Sequence, residues 1–276
     1  MDARKRLNQV VSNPAADPAA VALAVTTFHH RELDAPTQLL RIDALADVVR
    51  TTDRRGDTAA PPVGQAEVVT RLQDVLGDHL GYRGDPAQPR TSADAHLHLT
   101  LDTHRGLPVT LSVLYAAVAR RLEVPAFVIN LPGHVVVGIG EGRDVAVLDA
   151  YAGGAALGEA AMTALVAQAT SGRSRFTRSM VRPATPPELA RRILANLTVD
   201  ITKEEHPGAA LWTVVARLVM PDPDPRDHLV LASLLERSGR FVRAAQAYDR
   251  YLETVPDAAD RPEVEARARA ARSRTN

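Results

Sequence analysis

The chain has 276 residues, 45% of them hydrophobic, and its 33 Lys and Arg balance its 33 Asp and Glu. A formal charge of zero provides no overall field to recruit nucleic acid or an anionic membrane, and the absence of cysteine excludes disulfides, thiolate metal sites and thiol nucleophiles. The basic start is not followed by the apolar core of a signal peptide, and no apolar run approaches the roughly 18 residues typical of a membrane span, so we expect a soluble cytoplasmic protein.

The first 80 residues carry three segments with the apolar spacing of amphipathic helices. These are residues 18–30, 36–51 and 65–80, and the stretch between the last two contains Gly56, Pro61 and Pro62 and is predicted to be a loop. We therefore predict an N-terminal helical unit over residues 1–80.

The segment from Ser92 to Arg105 has two interpretations. Ser92 or Asp94 would cap a helix, whereas the alternation from His96 to Leu101 suits a strand. On a strand, His96 and His98 would lie on one face, a spacing seen in zinc sites. With Asp94 or His134 nearby they would form a divalent metal site, and the alternative is a chance His-x-His pair without metal. No other cofactor is expected.

Residues 105–149 predict a helix followed by three strands. Apolar residues recur every three or four positions from Thr110 to Leu122, and Pro125 then forces the chain out of the helix. The run AFVINL follows, a Pro-Gly turn precedes a second strand that begins at His134, and a third strand ends at Asp149.

This order of elements resembles the core of the transglutaminase-like superfamily, which has a papain-like site. In that family a catalytic Cys lies two residues after a Gly, twelve before an Arg and seventeen before a Pro. Gly106, Arg120 and Pro125 match this frame, and the position of the nucleophile is occupied by Pro108. The resemblance implies an α+β fold in which the helix packs on a small antiparallel sheet.

The resemblance also places His134 and Asp149 where the family has its catalytic His and Asp. In the family the Asp fixes the imidazole tautomer and the His takes a proton from the nucleophile. The alternative is a structural pair, in which a carboxylate satisfies a partly buried His. Thr110 lies two residues after Pro108 and is a candidate nucleophile, although hydroxyls in a first helical turn usually cap the helix or bond to carbonyls.

A closer resemblance is to the bacterial SirB-type branch, which lacks the Cys as a rule. The shared features are the helix opening RG-x-P-x-[ST]-L, the PGH motif and tetratricopeptide repeats behind the core. The resemblance implies that the cleft is lined by Arg105 and His98, and that His96 or His98 lies near His134. Asn130, four residues before His134, is a further candidate for the lining. Arg105 would clamp an anion or carboxylate, and the alternative is that it binds a backbone carbonyl.

The C-terminal third shows a linker and a repeat. We predict a transglutaminase-like core at 81–172, a linker at 173–187 and helical repeats at 188–276. When Gly239 is aligned with the turn glycine of a tetratricopeptide unit, the small and aromatic pattern positions are also occupied, and a degenerate copy covers residues 187–221. The repeats predict a protein or peptide partner, with no nucleic acid and no membrane.

Three functions follow from these patterns. The first is a pseudoenzyme that acts as a protein- or peptide-binding or regulatory module. The second is a hydrolase or an acyl or amide transferase in which His134 and Asp149 form a general base without a thiol; this requires one imidazole nitrogen to stay free of protein partners. The third is a metal-dependent hydrolase that uses His96, His98 and His134.

Overall fold

A computed structural model describes residues 2–142 and 144–274. Its N-terminal part consists of α1 Ala3–Val11, α2 Pro18–His29, α3 Ala35–Thr51 and α4 Gly64–Arg71, and α4 continues directly as a π-helix over Leu72–His79. The start of α2 is set by Asp17, whose Oδ1 accepts from the Ala19 N–H at 2.7 Å. The three predicted helices are confirmed; the π-helical turn and the short α1 were not predicted.

The segment that had two interpretations is helical. A 3₁₀ turn covers Ser92–Ala95 and α5 covers Leu97–Thr103. The side chains of Thr91 and Asp94 form a reciprocal capping box at the start of the 3₁₀ turn, where the Thr91 N–H donates to Asp94 Oδ2 at 2.8 Å. The strand interpretation is therefore wrong, because this cap starts a helical path before the alternating residues begin.

The predicted helix and strands of the core are confirmed. Helix α6 covers Pro108–Arg121, and an antiparallel sheet of order β1-β2-β3-β4 follows. Its strands are β1 Ala126–Leu131, β2 His134–Ile139, β3 Ala146–Asp149 and β4 Ala155–Ala156. Gly133 has φ of +77°, a backbone conformation that glycine adopts without strain, and the tight turn pairs Leu131 with His134. The two-residue β4 was not predicted.

The sheet is covered on both faces. Every residue of α6 from Val109 to Ala119 is buried, and its side chains share a cluster with Val128 and Val137. The opposite face packs under α7 Glu159–Ala169, in a second cluster that includes Val136 and Val166. The α+β architecture with a helix on a small antiparallel sheet agrees with the prediction.

Five helices form the C-terminal part. They are α8 Pro186–Glu204, α9 Leu211–Leu218, α10 Asp227–Arg237, α11 Phe241–Thr254 and α12 Arg261–Ser273. The turn between α10 and α11 contains Gly239 at φ of +70°, the position that the repeat pattern assigned to the turn glycine. The helices are present where expected, and their identity as tetratricopeptide repeats stays a prediction.

The predicted division into four units also stays a prediction. One continuous apolar cluster includes buried residues from three of the four predicted units, from Leu7 in the first to Leu234 in the last, whereas Val181 of the linker packs against a separate cluster. The arginine-rich segment 173–187 packs along the sheet, where the Ala184 N–H donates to the Val128 carbonyl at 2.8 Å. Among the described helices, none combines the length and apolar character needed to cross a bilayer.

Candidate functional site

His134 and Asp149 lie side by side at the ends of adjacent strands. The His134 Nε2 and the Asp149 Oδ2 are 3.1 Å apart, and both side chains are largely buried. The second carboxylate oxygen accepts from the backbone N–H of Tyr151 at 2.9 Å and, more weakly, from that of Ala152 at 3.4 Å. The carboxylate is therefore held on both oxygens, which fixes the orientation of the imidazole.

This bond determines the tautomer of the imidazole. A carboxylate accepts hydrogen bonds, so neutral His134 carries its proton on Nε2 and leaves a lone pair on Nδ1. Within the described ranges, Nδ1 has no hydrogen-bond partner, and it is absent from the fully buried polar atoms that lack one. The arrangement has the geometry of a general base with its basic nitrogen open.

The first turn of α6 lies next to the start of β2. The Ser112 hydroxyl donates to the carbonyl of Val135 at 3.2 Å, and Pro108 is four residues, or about 6 Å along the helix axis, before Ser112. Pro108 is at the first helical position, where its missing N–H costs nothing. The position of the family nucleophile thus carries no reactive group.

Both hydroxyls of this turn are bonded to backbone carbonyls. Thr110 is 1% exposed, and its Oγ1 donates to the Asp94 carbonyl at 2.9 Å. Ser112 is fully buried and bonded to Val135. The Thr110 hydroxyl is thus engaged as the structural alternative describes, and its role as a nucleophile stays a prediction.

Arg105 is also engaged by the protein. Its Nε and Nη2 donate to the two carboxylate oxygens of Asp94 at 3.0 and 3.1 Å, and Nη2 also donates to the Pro89 carbonyl at 2.7 Å. The hydrogen bond with Asp94 raises the pKa of Arg105. Arg105 was predicted to clamp the carboxylate of a ligand, and in the structure it binds the carboxylate of Asp94. It also makes a carbonyl contact, with Pro89, of the kind given as the alternative.

Asn130 lies on β1 in the position paired with Val135. It is exposed and lines a hollow of about 200 Å³ together with Met180 and Arg182. Its assignment as a residue of the cleft stays a prediction.

His96 and His98 belong to a different cluster from His134. The ring centroids of His30, His96 and His98 are 5.3 to 6.4 Å apart, and His96 Nδ1 is 3.2 Å from the Thr26 hydroxyl. In the described part of the chain, no ring contact or hydrogen bond joins His96 or His98 to His134, and the expectation that one of them lies near it stays a prediction. Within the same part, no group of three or more His, Cys, Asp or Glu side chains is arranged to hold a metal ion. Metal binding at His96 and His98 stays a prediction.

The family model of the transglutaminase-like superfamily matches residues 37–195, more than half of the chain. The chain belongs to the transglutaminase-like superfamily. The matched range contains α6, all four strands, and the His134–Asp149 pair.

Curated relatives cover different parts of this transglutaminase-like chain. F-box only protein 21 of Mus musculus is 31% identical over 87 residues, which are 32% of this chain and 14% of that protein. A UPF0162 protein of Xylella fastidiosa (strain 9a5c) is 28% identical over 187 residues, or 66% of this chain and 54% of that protein. A UPF0162 protein of Pasteurella multocida (strain Pm70) is 24% identical over 70% of this chain and 72% of its own length. The chain thus aligns with about half or less of the first two relatives.

Among solved structures, a crystal structure of menin that shows its binding site for the Mixed Lineage Leukemia protein is similar with a TM-score of 0.41. The identity is 13%, over 90% of this chain and 68% of menin. A likeness at this level carries no conclusion about this transglutaminase-like protein.

Near the His134–Asp149 pair and near His96, the structure places residues that were not predicted from the sequence. Tyr151 presents its ring edge-on to His134, with ring centroids 6.5 Å apart, and its position two residues after Asp149 was the available signal. His29 stacks on Trp212 with centroids 4.7 Å apart and joins the cluster of His30 and His96. No local pattern in the sequence connects His29 with Trp212, because they are about 180 positions apart.

Burial of His96 predicts a pH-dependent loss of stability. Desolvation, followed by the nearby His30 and His98, lowers the pKa of His96 from 6.5 to about 3. The unfolded chain therefore takes up a proton as the pH falls below 6.5 while the native state does not, and the stabilisation is lost from there down to about pH 3. From pH 7 to about pH 5 the contribution of His96 falls by about 2 kcal/mol.

The measurement is urea unfolding of wild type and His96→Asn at both pH values. Asn keeps a polar atom near Thr26 but does not titrate. We expect the stability advantage of the wild type to shrink by about 2 kcal/mol from pH 7 to about pH 5. An advantage that is constant over this range would show that His96 is not buried in its neutral form.

Proposed function

We propose that the chain is a transglutaminase-like pseudoenzyme that binds a protein or peptide partner and regulates or positions it without acyl transfer. The observation that carries the proposal is the first turn of α6. Pro108 is at the nucleophile position, and the Thr110 and Ser112 hydroxyls both donate to backbone carbonyls. Covalent catalysis requires an activated nucleophile beside the base, and the engagement of these two hydroxyls supports a function without one.

The proposal includes membership of the SirB-type branch, a cytoplasmic location and C-terminal hairpins of tetratricopeptide type. The small residues buried along α10 and α11 support the repeat assignment, because paired helices of such repeats approach closely. In this proposal the His134–Asp149 pair shapes the cleft that corresponds to the catalytic site of the family.

A catalytic assay with matched variants tests the proposal. We expect the purified wild type to show no amine incorporation into a glutamine peptide and no ester or amide hydrolysis above the buffer rate, because Pro108 stands at the nucleophile position and the described hydroxyls near it are bonded to carbonyls. His134→Ala and Asp149→Asn should give the same background. Turnover that both variants abolish would contradict the pseudoenzyme assignment.

The partner side of the proposal needs its own measurement. The complete 276-residue chain, as wild type and as His134→Ala, is used to capture proteins from native lysate. Each captured protein is identified by mass spectrometry and then purified. We expect direct binding of one such protein in a reconstituted assay. Binding by both forms indicates that the imidazole only shapes the cleft, and loss in His134→Ala indicates that it touches the partner.

A second candidate function is supported by one specific observation, the open Nδ1 of His134. A fixed Nε2–H tautomer with a free lone pair can activate water or an amine without a covalent intermediate. In that case His134→Ala would lower a hydrolytic or acyl-transfer rate by about 10²- to 10⁴-fold. Retention of the rate in this variant would exclude the general-base function.

A further inference from the structure

A groove distant in sequence from the His134–Asp149 pair lies between α9, α10 and α11. We call it the α9–α11 groove; it is a cavity of about 700 Å³. Its apolar lining comes from all three helices: Leu211, Val215, Leu231, Leu235 and Ala247. Leu235 and Ala247 belong to the C-terminal apolar cluster, and Leu211 and Leu231 pack against it, so most of the groove floor is held in place by the core of these helices.

The polar rim of the α9–α11 groove carries an excess of positive charge. Asp249 is paired with Arg272, and Glu253 is paired with Arg250 at 2.9 Å, so both carboxylates on the rim are neutralised. Arg240 and Arg243 are exposed and line the same groove.

Neither of these two arginines is paired within the part of the chain that the structure describes. In residues 2–142 and 144–274, their side chains make no ion pair, hydrogen bond or ring contact. Two guanidinium groups beside an apolar floor therefore remain available to an external carboxylate, with which Arg forms strong, often bidentate hydrogen bonds.

The lining also indicates the class of the occupant. Proteins that bind single-stranded nucleic acid combine a basic track with aromatic stacking platforms, and among the described residues that line this groove the aromatic side chain is His228 alone. An apolar floor with a charged rim is the arrangement that receives amphipathic peptides, whose anchors recur every three or four residues. The geometry therefore favours a peptide over a polyphosphate backbone.

We infer that the α9–α11 groove binds an acidic amphipathic peptide segment of a partner protein, with apolar side chains on the floor and carboxylates on Arg240 and Arg243. This inference deepens the proposed function, because it names the chemistry of one partner. It rests on that function only for the claim that the protein binds partners, and it does not depend on the His134–Asp149 pair.

The test uses the full chain and fluorescence anisotropy with three labelled synthetic helical peptides. The first carries Glu on one face and Leu at i, i+3 or i+4, and i+7; the second replaces Glu with Lys; the third replaces Leu with Ser. We expect the first to bind with a Kd below about 100 μM and the other two to bind at least about tenfold more weakly. A single-stranded RNA and anionic lipid vesicles serve as competing occupants.

Charge-reversed variants locate the binding. Arg240→Glu with Arg243→Glu should weaken binding of the acidic peptide by at least about tenfold, because both arginines are exposed and pair with the ligand alone. The control, Arg31→Glu with Arg175→Glu, changes the net charge equally at two exposed positions outside the groove and should leave the Kd within about twofold. Gln246→Trp, which fills the groove from an exposed lining position, should weaken binding without charge reversal.

The outcomes separate this inference from the proposed function. Absence of acidic-peptide binding, equal weakening in both double variants, or tighter binding of RNA or vesicles would overturn the assignment of the groove and leave the pseudoenzyme proposal standing. Turnover that depends on His134, with intact peptide binding, would overturn the pseudoenzyme proposal and leave the groove assignment standing.

Discussion

Replacement of Asp94 by alanine is expected to destabilise the folded protein by about 3 kcal/mol, because it breaks a largely buried ion pair and leaves the other partner uncompensated. The Asp94 carboxylate accepts two hydrogen bonds from Arg105, and it also accepts from the N–H and the hydroxyl of Thr91 at 2.8 and 3.0 Å. The alanine variant would leave the Arg105 guanidinium with the Pro89 carbonyl and the Gln88 side chain as its partners among the described residues. Urea unfolding at neutral pH measures the difference.

The same residue joins the 3₁₀ turn to the start of α6. Its carbonyl accepts from the Leu107 N–H at 2.8 Å and from the Thr110 hydroxyl at 2.9 Å. Loosening of the turn therefore reaches the position of Pro108, and we expect hydrogen exchange of the first turn of α6 to increase in Asp94→Ala.

The control for this prediction is Asp102→Ala. Asp102 also forms an ion pair, with Arg41 at 2.6 Å, but its side chain is 55% exposed. An exposed pair is typically worth less than about 1 kcal/mol, so this variant should remain close to wild type. Equal losses in the two variants would show that the Asp94 network carries no special stability.

Replacement of Gly77 by alanine is expected to cost about 3 kcal/mol, at the upper end of the usual range for overpacking. Gly77 lies in the π-helix Leu72–His79, and an added Cβ would overlap the carbonyl of Gly153 and lie 2.9 Å from the Tyr115 hydroxyl. Part of the obstacle is backbone, which cannot rotate away as a side chain can. Tyr115 is itself fixed, since its hydroxyl donates to the Tyr82 carbonyl at 2.9 Å.

The sign of this effect is diagnostic. In an unobstructed helix, Gly→Ala stabilises by up to about 1 kcal/mol, so a large loss reports the close approach to Gly153.

Gly158→Ala is the control, because the φ of Gly158 is −79° and nothing lies within 4 Å of the added Cβ. As the residue before α7 it should change stability by less than about 1 kcal/mol. Thermal unfolding of the wild type and the two variants measures these differences. A Gly77→Ala variant as stable as the wild type would refute the close contact with Gly153.

The predictions that succeeded depend on short stretches of sequence. The apolar spacing of α6, the proline at 125 and the Pro-Gly turn before His134 each act over a few residues and need no distant partner. The helix–strand–strand–strand order, and with it the adjacency of His134 and Asp149, followed from these signals. The resemblance to the family frame then identified Pro108 as the residue at the position of the nucleophile.

The strand interpretation of His96 to Leu101 failed because alternation over six residues is a weaker signal than the cap immediately before it. Thr91 and Asp94 satisfy each other's backbone groups and direct the chain into a helical path. As a result, His96 and His98 both meet His30 of the N-terminal part, and His96 also meets the Thr26 hydroxyl.

By itself, the sequence determined the class of fold, the order of the core elements and the absence of a thiol, because periodicity, turn residues and composition are local or global properties of the chain. Only the tertiary structure decided which polar groups are already engaged. Arg105 and Thr110 both bond to Asp94, whereas Nδ1 of His134 and the guanidinium groups of Arg240 and Arg243 have no partner in the described residues. The physical reason is that a hydrogen bond depends on atoms brought within about 3 Å by packing, and residues far apart in the chain carry no mark of that approach in their spacing.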